Sequence, residues 1–348
     1  MLAAAVFLPL TADALSARKA CVLDGVTGAA LFEKCADDRS LIASTTKIMT
    51  ALVVCEQCNV LDRMRIPKEA VGIEGSSMYL KEGEVLTLQE LLYGLMLSSG
   101  NDAAVALAIY CGGTVEEFAQ RMNDKARVLG LKNTHFVNPN GLDAPDHYST
   151  AQDLARLAAY AMKNPVFYKT VSAKNIKIGD RYLTNHNKLL WRVEGADGVK
   201  TGFTKAAGRI LVSSATRQQR RVIAVTIDDP NDWQDHAALL EKTFSTYNET
   251  QIIRQGECLG TVQVEGGESS RAQVLAAEDF FFALAPGEHP QTMLSGPGFV
   301  FAPVVEGAEA MDAYVLLDGN AVGKVSTVYG KTIEQQKEKS FFDKLFRR

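Results

Sequence analysis

Three short stretches of this chain carry residue types suited to acyl transfer: Ser44-Thr45-Thr46-Lys47, Ser99-Gly100-Asn101 and Lys200-Thr201-Gly202, in that order. The first offers a hydroxyl nucleophile and, three residues on, an amine that shares its helix face. The second sets another hydroxyl beside an amide. The third places a cation and a hydroxyl on a strand, where Lys200 and Thr201 can meet a carboxylate and Gly202 lets a substrate backbone lie along the edge. Together these parts make and break a serine ester, with Ser44 as nucleophile, Lys47 as base and Ser99 as a rigidly held second hydroxyl.

Chemistry of this kind needs elements that fix the three stretches. Ile48, Met49 and the run Ala51 to Cys55 follow Ser44, apolar nearly all round, which predicts a buried helix with Ser44 at its start. Burial and the positive end of the helix dipole disfavour an ammonium at Lys47, so its amine is expected to be neutral often enough to act as a base. A second S-x-x-K, Ser16-Ala17-Arg18-Lys19, has no helix pattern behind it and is expected to be a chance match.

Thr87 and Glu90 have capping-box spacing and open a helix whose apolar face is Leu88, Leu91, Leu92, Leu95 and Met96. Ser98 to Asn101 break it, and a second helix runs from Asp102 to Gly112-Gly113, so the middle motif sits in a tight link. Val199 to Thr204, Ile210 to Val212 and Val222 to Ile227 read as consecutive antiparallel strands. Ala20 to Leu23 and Ala29 to Glu33 flank Asp24-Gly25-Val26-Thr27-Gly28 as a hairpin. Strands from both ends are therefore expected to share one sheet, with a helical region inserted between them.

The motifs and their order resemble the serine D-alanyl-D-alanine carboxypeptidases among the low-molecular-mass penicillin-binding proteins. The likeness extends through Glu74-Gly75-Ser76-Ser77-Met78-Tyr79-Leu80, through residues 130–139, 141–143 and 147–151, and through Asn187-Lys188-Leu189-Leu190-Trp191 into Gly195-Ala196-Asp197-Gly198. It implies an α+β fold: a β-lactamase/transpeptidase-like domain, an antiparallel sheet with helices on both faces, followed by a small all-β domain. It implies Ser44 as the acylated nucleophile, Lys47 as general base, Ser99 as proton relay and Asn101 as binder of the substrate amide. Lys200 and Thr201 would hold the terminal carboxylate, and the backbone N–H groups of Ser44 and Phe203 would form the oxyanion hole. Some relatives carry histidine where this chain has Phe203, which leaves only a backbone role there. The implied substrate is the peptidoglycan stem pentapeptide, and β-lactams are the implied covalent inhibitors. No cofactor or metal is implied.

A class A β-lactamase would have aspartate at position 100 and an E-x-x-L-N segment, and this chain has neither. A G-x-S-x-G elbow is also missing, and the five histidines lack metal-ligand spacing. A non-catalytic wall scaffold is the remaining alternative. Intact Ser44, Lys47 and Ser99 weigh against it. With 348 residues and a net charge of −4, the chain has room for about two domains and no basic character to suggest nucleic acid. The peptidase domain is expected over 18–255 and the all-β domain over 256–330.

Leu2 to Leu10 is apolar and precedes Ala12-Asp13-Ala14, so residues 1–17 are expected to be an export signal, with a buried strand as the alternative. Over 331–348, Ile333, Phe341, Phe342, Leu345 and Phe346 alternate with lysines and arginines. That pattern suits an amphipathic helix on the outer face of the cytoplasmic membrane, or one packed on its own protein. Of six cysteines, Cys55 and Cys58 are expected to be packing residues. Cys21 and Cys35 are candidates to pair if the compartment is oxidising, and free thiols otherwise.

Overall fold

The computed structural model describes residues 15–336, which divide into two compact units between Ser245 and Thr246. In the first unit the chain opens with a hairpin, β1 (Lys19–Asp24) and β2 (Ala30–Lys34). Asp24 closes its turn by accepting from the backbone N–H groups of Val26 and Thr27, and it pairs with the buried Arg220 at 2.6 Å. A 3-10 turn (Ala43–Thr46) then leads into α1 (Lys47–Gln57), whose residues 47–54 are all buried. The all-round apolar pattern thus marks a central helix, wrapped by the others.

A short ladder of β3 (Arg63–Arg65) and β4 (Val85–Thr87) precedes α2 (Leu88–Leu97), where Thr87 and Glu90 form the expected capping box. That cap contributes roughly 1 kcal/mol. Helix α3 (Asn101–Gly112) follows after the break at Ser98 to Gly100. Then come α4 (Val115–Val128), α5 (Ala151–Ala161), α6 (Pro165–Ser172) and a hairpin of β5 (Asn175–Ile178) with β6 (Arg181–Thr184). The unit ends with β7 (Ala196–Thr204), β8 (Gly208–Arg217), β9 (Arg220–Ile227) and α7 (Asp232–Phe244).

Strands from the two ends do meet, in the order β2-β1-β9-β8-β7, all antiparallel. One face presents Cys21, Leu23, Ile210, Val212, Ile223 and Val225 to the core shared with α1, α2, α3 and α5. The opposite face presents Ser213 and Thr226, which bond His236 of α7 at 2.6 and 2.9 Å. Helices therefore cover both faces, and β7, which carries the Lys200-Thr201-Gly202 stretch, is an edge strand.

The second unit is all-β. A ladder of β10 (Asn248–Ile253) with β13 (Phe280–Leu284) accompanies β11 (Cys258–Glu265), β12 (Arg271–Ala276), β14 (Gln291–Ser295), β15 (Phe299–Phe301), β16 (Glu309–Leu317) and β17 (Asn320–Tyr329). The expected boundary at 256 is corrected, because β10 pairs within this unit. The anchor expected from 331 is also corrected for its described part. Ile333 bridges Val304 and packs into the β-domain core with Val262, Val264 and Tyr329, in extended chain rather than helix. The rest of that anchor, 337–348, lies outside the described residues, as does most of the expected export signal. Residues 15–17 of that signal belong to the folded domain instead, since Ser16 bonds Asp229 and Asp235.

Cys58 is not simply a packing residue. It forms a disulfide with Cys111, tying the end of α1 to α3, while Cys21, Cys35 and Cys55 are free thiols. Burial pushes the Cys21 and Cys55 thiols up to about 12. Among the described residues no helix is long and apolar enough to cross a membrane.

Candidate active site

The 3-10 turn aims Ser44 into an open cleft of roughly 680 Å3. Ala43, just before it, holds a left-handed backbone at φ 44°. Few residues other than glycine adopt that conformation, so the turn is strained and must be held from outside. Gly141 does part of the holding, because its bare Cα lies against the Ala43 carbonyl where any Cβ would clash. His147 does more. Its Nδ1 accepts from the Val137 N–H, so its Nε2 carries the proton and donates to Thr46 Oγ1 at 2.8 Å. Burial, with His135 nearby, lowers its pKa to about 4 and keeps that ring neutral.

Lys47 Nζ donates to Ser44 Oγ at 2.9 Å, to Asn101 Oδ1 at 2.7 Å and to the Asn140 carbonyl at 2.6 Å. The side chain is fully buried. Burial first, and the charge of Lys200 second, hold its pKa well below the ordinary lysine range. Once neutral, that amine keeps its two N–H bonds for Asn101 and Asn140 and its lone pair accepts from the Ser44 hydroxyl, so it is equipped to deprotonate that hydroxyl.

Ser99 lines the same cleft and sits on a left-handed backbone at φ 60°, between two rigid helices. The next turn is pinned by Asp102, whose carboxylate accepts from Ser77 Oγ at 2.6 Å, Met78 N–H at 3.1 Å and Leu80 N–H at 3.0 Å. The segment from Glu74 to Leu80, legible in the sequence only as a resemblance, is thus clasped to the N-terminus of α3. Arg181 of β6 clasps it from the other side, donating to the carbonyls of Met78 and Tyr79 at 2.8 Å each.

Three more of the expected site residues are held closely by the protein itself. Asn101 is bonded at both ends of its amide: its oxygen takes Lys47 and its nitrogen donates to the Glu74 carbonyl at 2.5 Å. Lys200 is buried and donates to the Thr201 carbonyl at 2.8 Å. Burial lowers its pKa to about 7. Gly202 is closely packed as well, since a Cβ there would lie 3.2 Å from the Ile42 carbonyl and 3.3 Å from Thr45. Thr201, Gly202 and the exposed Phe203 do line the cleft.

Arg209 lies in none of the three motifs, yet it belongs to the cleft. It leaves β8 beside the cleft, grips both carboxylate oxygens of Asp232 at 2.9 and 2.8 Å, and stands 5.8 Å from the Trp233 ring. Only antiparallel pairing brings it there, opposite Phe203. Both tryptophans of the chain, Trp191 and Trp233, line the same cleft. The decoy Ser16 is bound by two carboxylates, and Lys19 donates to Ser40 Oγ and to the carbonyls of Asp38 and Arg39.

Residues 8–231 match the D-alanyl-D-alanine carboxypeptidase family, and 247–335 match the penicillin-binding protein 5 C-terminal domain. The chain belongs to the D-alanyl-D-alanine carboxypeptidase family. Members similar to it include carboxypeptidase DacF of Bacillus subtilis strain 168, 31% identical over 324 residues, covering 88% of this chain and 83% of that one. The carboxypeptidase of Streptomyces sp. strain K15 is 40% identical over 224 residues, covering 58% and 77%. Among solved structures, penicillin-binding protein 5 of Haemophilus influenzae aligns with TM-score 0.66 at 28% identity, covering 94% of this chain and 100% of that one. The Streptomyces K15 DD-transpeptidase aligns with TM-score 0.64 at 36% identity, covering 66% and 98%. The carboxypeptidase family is a serine peptidase family, and the α+β peptidase domain with an all-β domain after it is shared with penicillin-binding protein 5.

Proposed function

We propose that the cleft removes the terminal D-alanine from peptidoglycan stem pentapeptides through an ester on Ser44. The single observation that carries this reading is the buried Lys47 amine 2.9 Å from Ser44 Oγ, its pKa lowered by burial. Neutral Lys47 takes the Ser44 proton as Oγ attacks the penultimate carbonyl. The backbone N–H groups of Ser44 and Phe203 face the developing oxyanion, and the D-alanine amine leaves with a proton relayed through Ser99. Water then releases the shortened peptide. Thr201 and Arg209, both on the cleft wall, receive the terminal carboxylate. Buried Lys200 supports that charge through its field and depresses the Lys47 pKa. Asn101 is a positioning residue that fixes Lys47.

A β-lactam places a carbonyl and a carboxylate at similar separation, so it acylates Ser44 as a covalent inhibitor. The substrate lies outside the cytoplasm, and the apolar segment before Ala12-Asp13-Ala14 and the aromatic and basic residues of 341–348 support export and attachment to the outer face of the cytoplasmic membrane.

Incubation with a pentapeptide ending in D-Ala-D-Ala, with release of D-alanine as the readout, tests the reading. The wild type should release it. Ser44→Ala should not, and labelled penicillin should map to the Ser44 peptide alone. Label retained in Ser44→Ala, or no release by wild type, overturns the assignment.

A further inference from the structure

Two buried acids outside the cleft converge on the residue just ahead of the first hairpin. Asp229 follows β9, Asp235 lies in the first turn of α7, and both bond Ser16. Asp229 Oδ1 accepts from Ser16 Oγ at 2.6 Å and from the Asn231 N–H at 3.1 Å. Asp235 Oδ2 accepts from the Ser16 N–H at 2.7 Å and stands 2.9 Å from the same hydroxyl, whose single proton cannot serve both carboxylates at once. Asp229 Oδ2 is buried with no hydrogen bond. The neighbouring Asp228 and Asp232 have arginine partners, Arg18 and Arg209, but among the described residues no ion pair reaches Asp229 or Asp235. Two buried carboxylates in one place need a cation, and the N-terminus of α7 offers only about half a charge.

The sequence holds a source for that cation. Ala12-Asp13-Ala14 has the small-x-small spacing that a leader peptidase reads, which sets the cut at the Ala14–Leu15 bond. Leu15, the residue after that bond, is buried, and its carbonyl accepts from Lys34 Nζ at 3.1 Å. A chain that starts at Leu15 carries its α-amine within about 4 Å of the Ser16 nitrogen, the atom that touches Asp235.

We propose that Asp229 and Asp235 form a receiving site for the α-ammonium released when the leader is cut after Ala14. The inference rests on the export reading above and adds the cut and its acceptor to it. Hydrolysis breaks the Ala14–Leu15 C–N bond. Water gives its hydroxyl to the Ala14 carbonyl carbon and a proton to the Leu15 nitrogen, which takes a further proton from solvent. An uncharged amide nitrogen thus becomes a cation beside two carboxylates. The uncut chain lacks this ion pair, so the folded state is more stable after cleavage than before it.

The test starts from the full chain expressed with its leader in an exporting host, the N-terminus of the recovered protein being read by mass spectrometry. It should be Leu15. Protein retained uncut in the cytoplasm overturns the export reading and this inference with it. Exported protein with a different N-terminus overturns the inference alone. The acceptor is tested on the Leu15 form by comparing a free α-amine with an acetylated one at pH 7. Acetylation should lower the melting temperature by roughly 2–4 °C. In Asp229→Asn the same acetylation should cost less than half of that shift, and Asp235→Asn covers the case in which the first variant does not fold. Equal melting temperatures with and without the acetyl group, or an acetylation loss as large in the folded variants as in the wild type, overturn the receiving site.

Discussion

Asn101 Oδ1 accepts a hydrogen bond from Lys47 Nζ at 2.7 Å, so the amide of the middle motif is tied directly to the amine of the first. Its amide nitrogen, donating to the Glu74 carbonyl, fixes which end faces the lysine. A neutral oxygen orients the amine without adding a charge that would favour the ammonium.

Asn101→Asp should therefore impair acylation through the lysine. A carboxylate at this distance raises the Lys47 pKa, and each unit of rise costs about tenfold in neutral amine at pH 7. Stopped-flow acylation by penicillin should be slow at neutral pH and recover as pH rises. No recovery at high pH would show that Asn101 acts on the substrate instead.

Lys200→Gln tests the second cause of the lowered Lys47 pKa. Burial stays, but a neighbouring positive charge goes, so the Lys47 pKa rises and the acid limb of the acylation profile moves to higher pH. A fall in amplitude with the limb unmoved would assign Lys200 to substrate binding alone.

His236 makes stability depend on pH. Burial lowers its pKa from 6.5 to about 3, so between those values the unfolded chain binds a proton that the folded one does not. Stability is then lost as pH falls through that window, by about 1.4 kcal/mol per unit below pH 6.5 for this group. His236→Gln keeps a donor and an acceptor for Ser213 and Thr226 but cannot titrate. Its melting temperature should fall less between pH 7 and pH 5 than the wild type's. Parallel slopes would rule out the histidine as a source of the acid lability.

A chain ending at Gln336 keeps Ile333 in the β-domain core and removes residues 337–348, which carry the aromatic and basic side chains. It should lose binding to anionic vesicles and keep full activity on a soluble pentapeptide. Unchanged vesicle binding would refute the anchor.

The pairing of Ser44 with Lys47 is legible in the chain because the two are near neighbours at one helix start and their relation is local. The capping box at Thr87, the hairpin turn at Asp24 and the buried character of α1 are legible for the same reason, since each is set by periodicity or by contacts within a few residues. Which way the more distant side chains face depends on how the elements pack together. Asn101 turns to Lys47, Lys200 is buried and Arg209 reaches the cleft because strand pairing and helix packing join residues far apart in the chain. The Cys58–Cys111 pair and the place of Ile333 in the β-domain core were hidden likewise. Side-chain direction at such positions follows from which surfaces bury each other, and that is a property of the assembled fold rather than of any short stretch of residues.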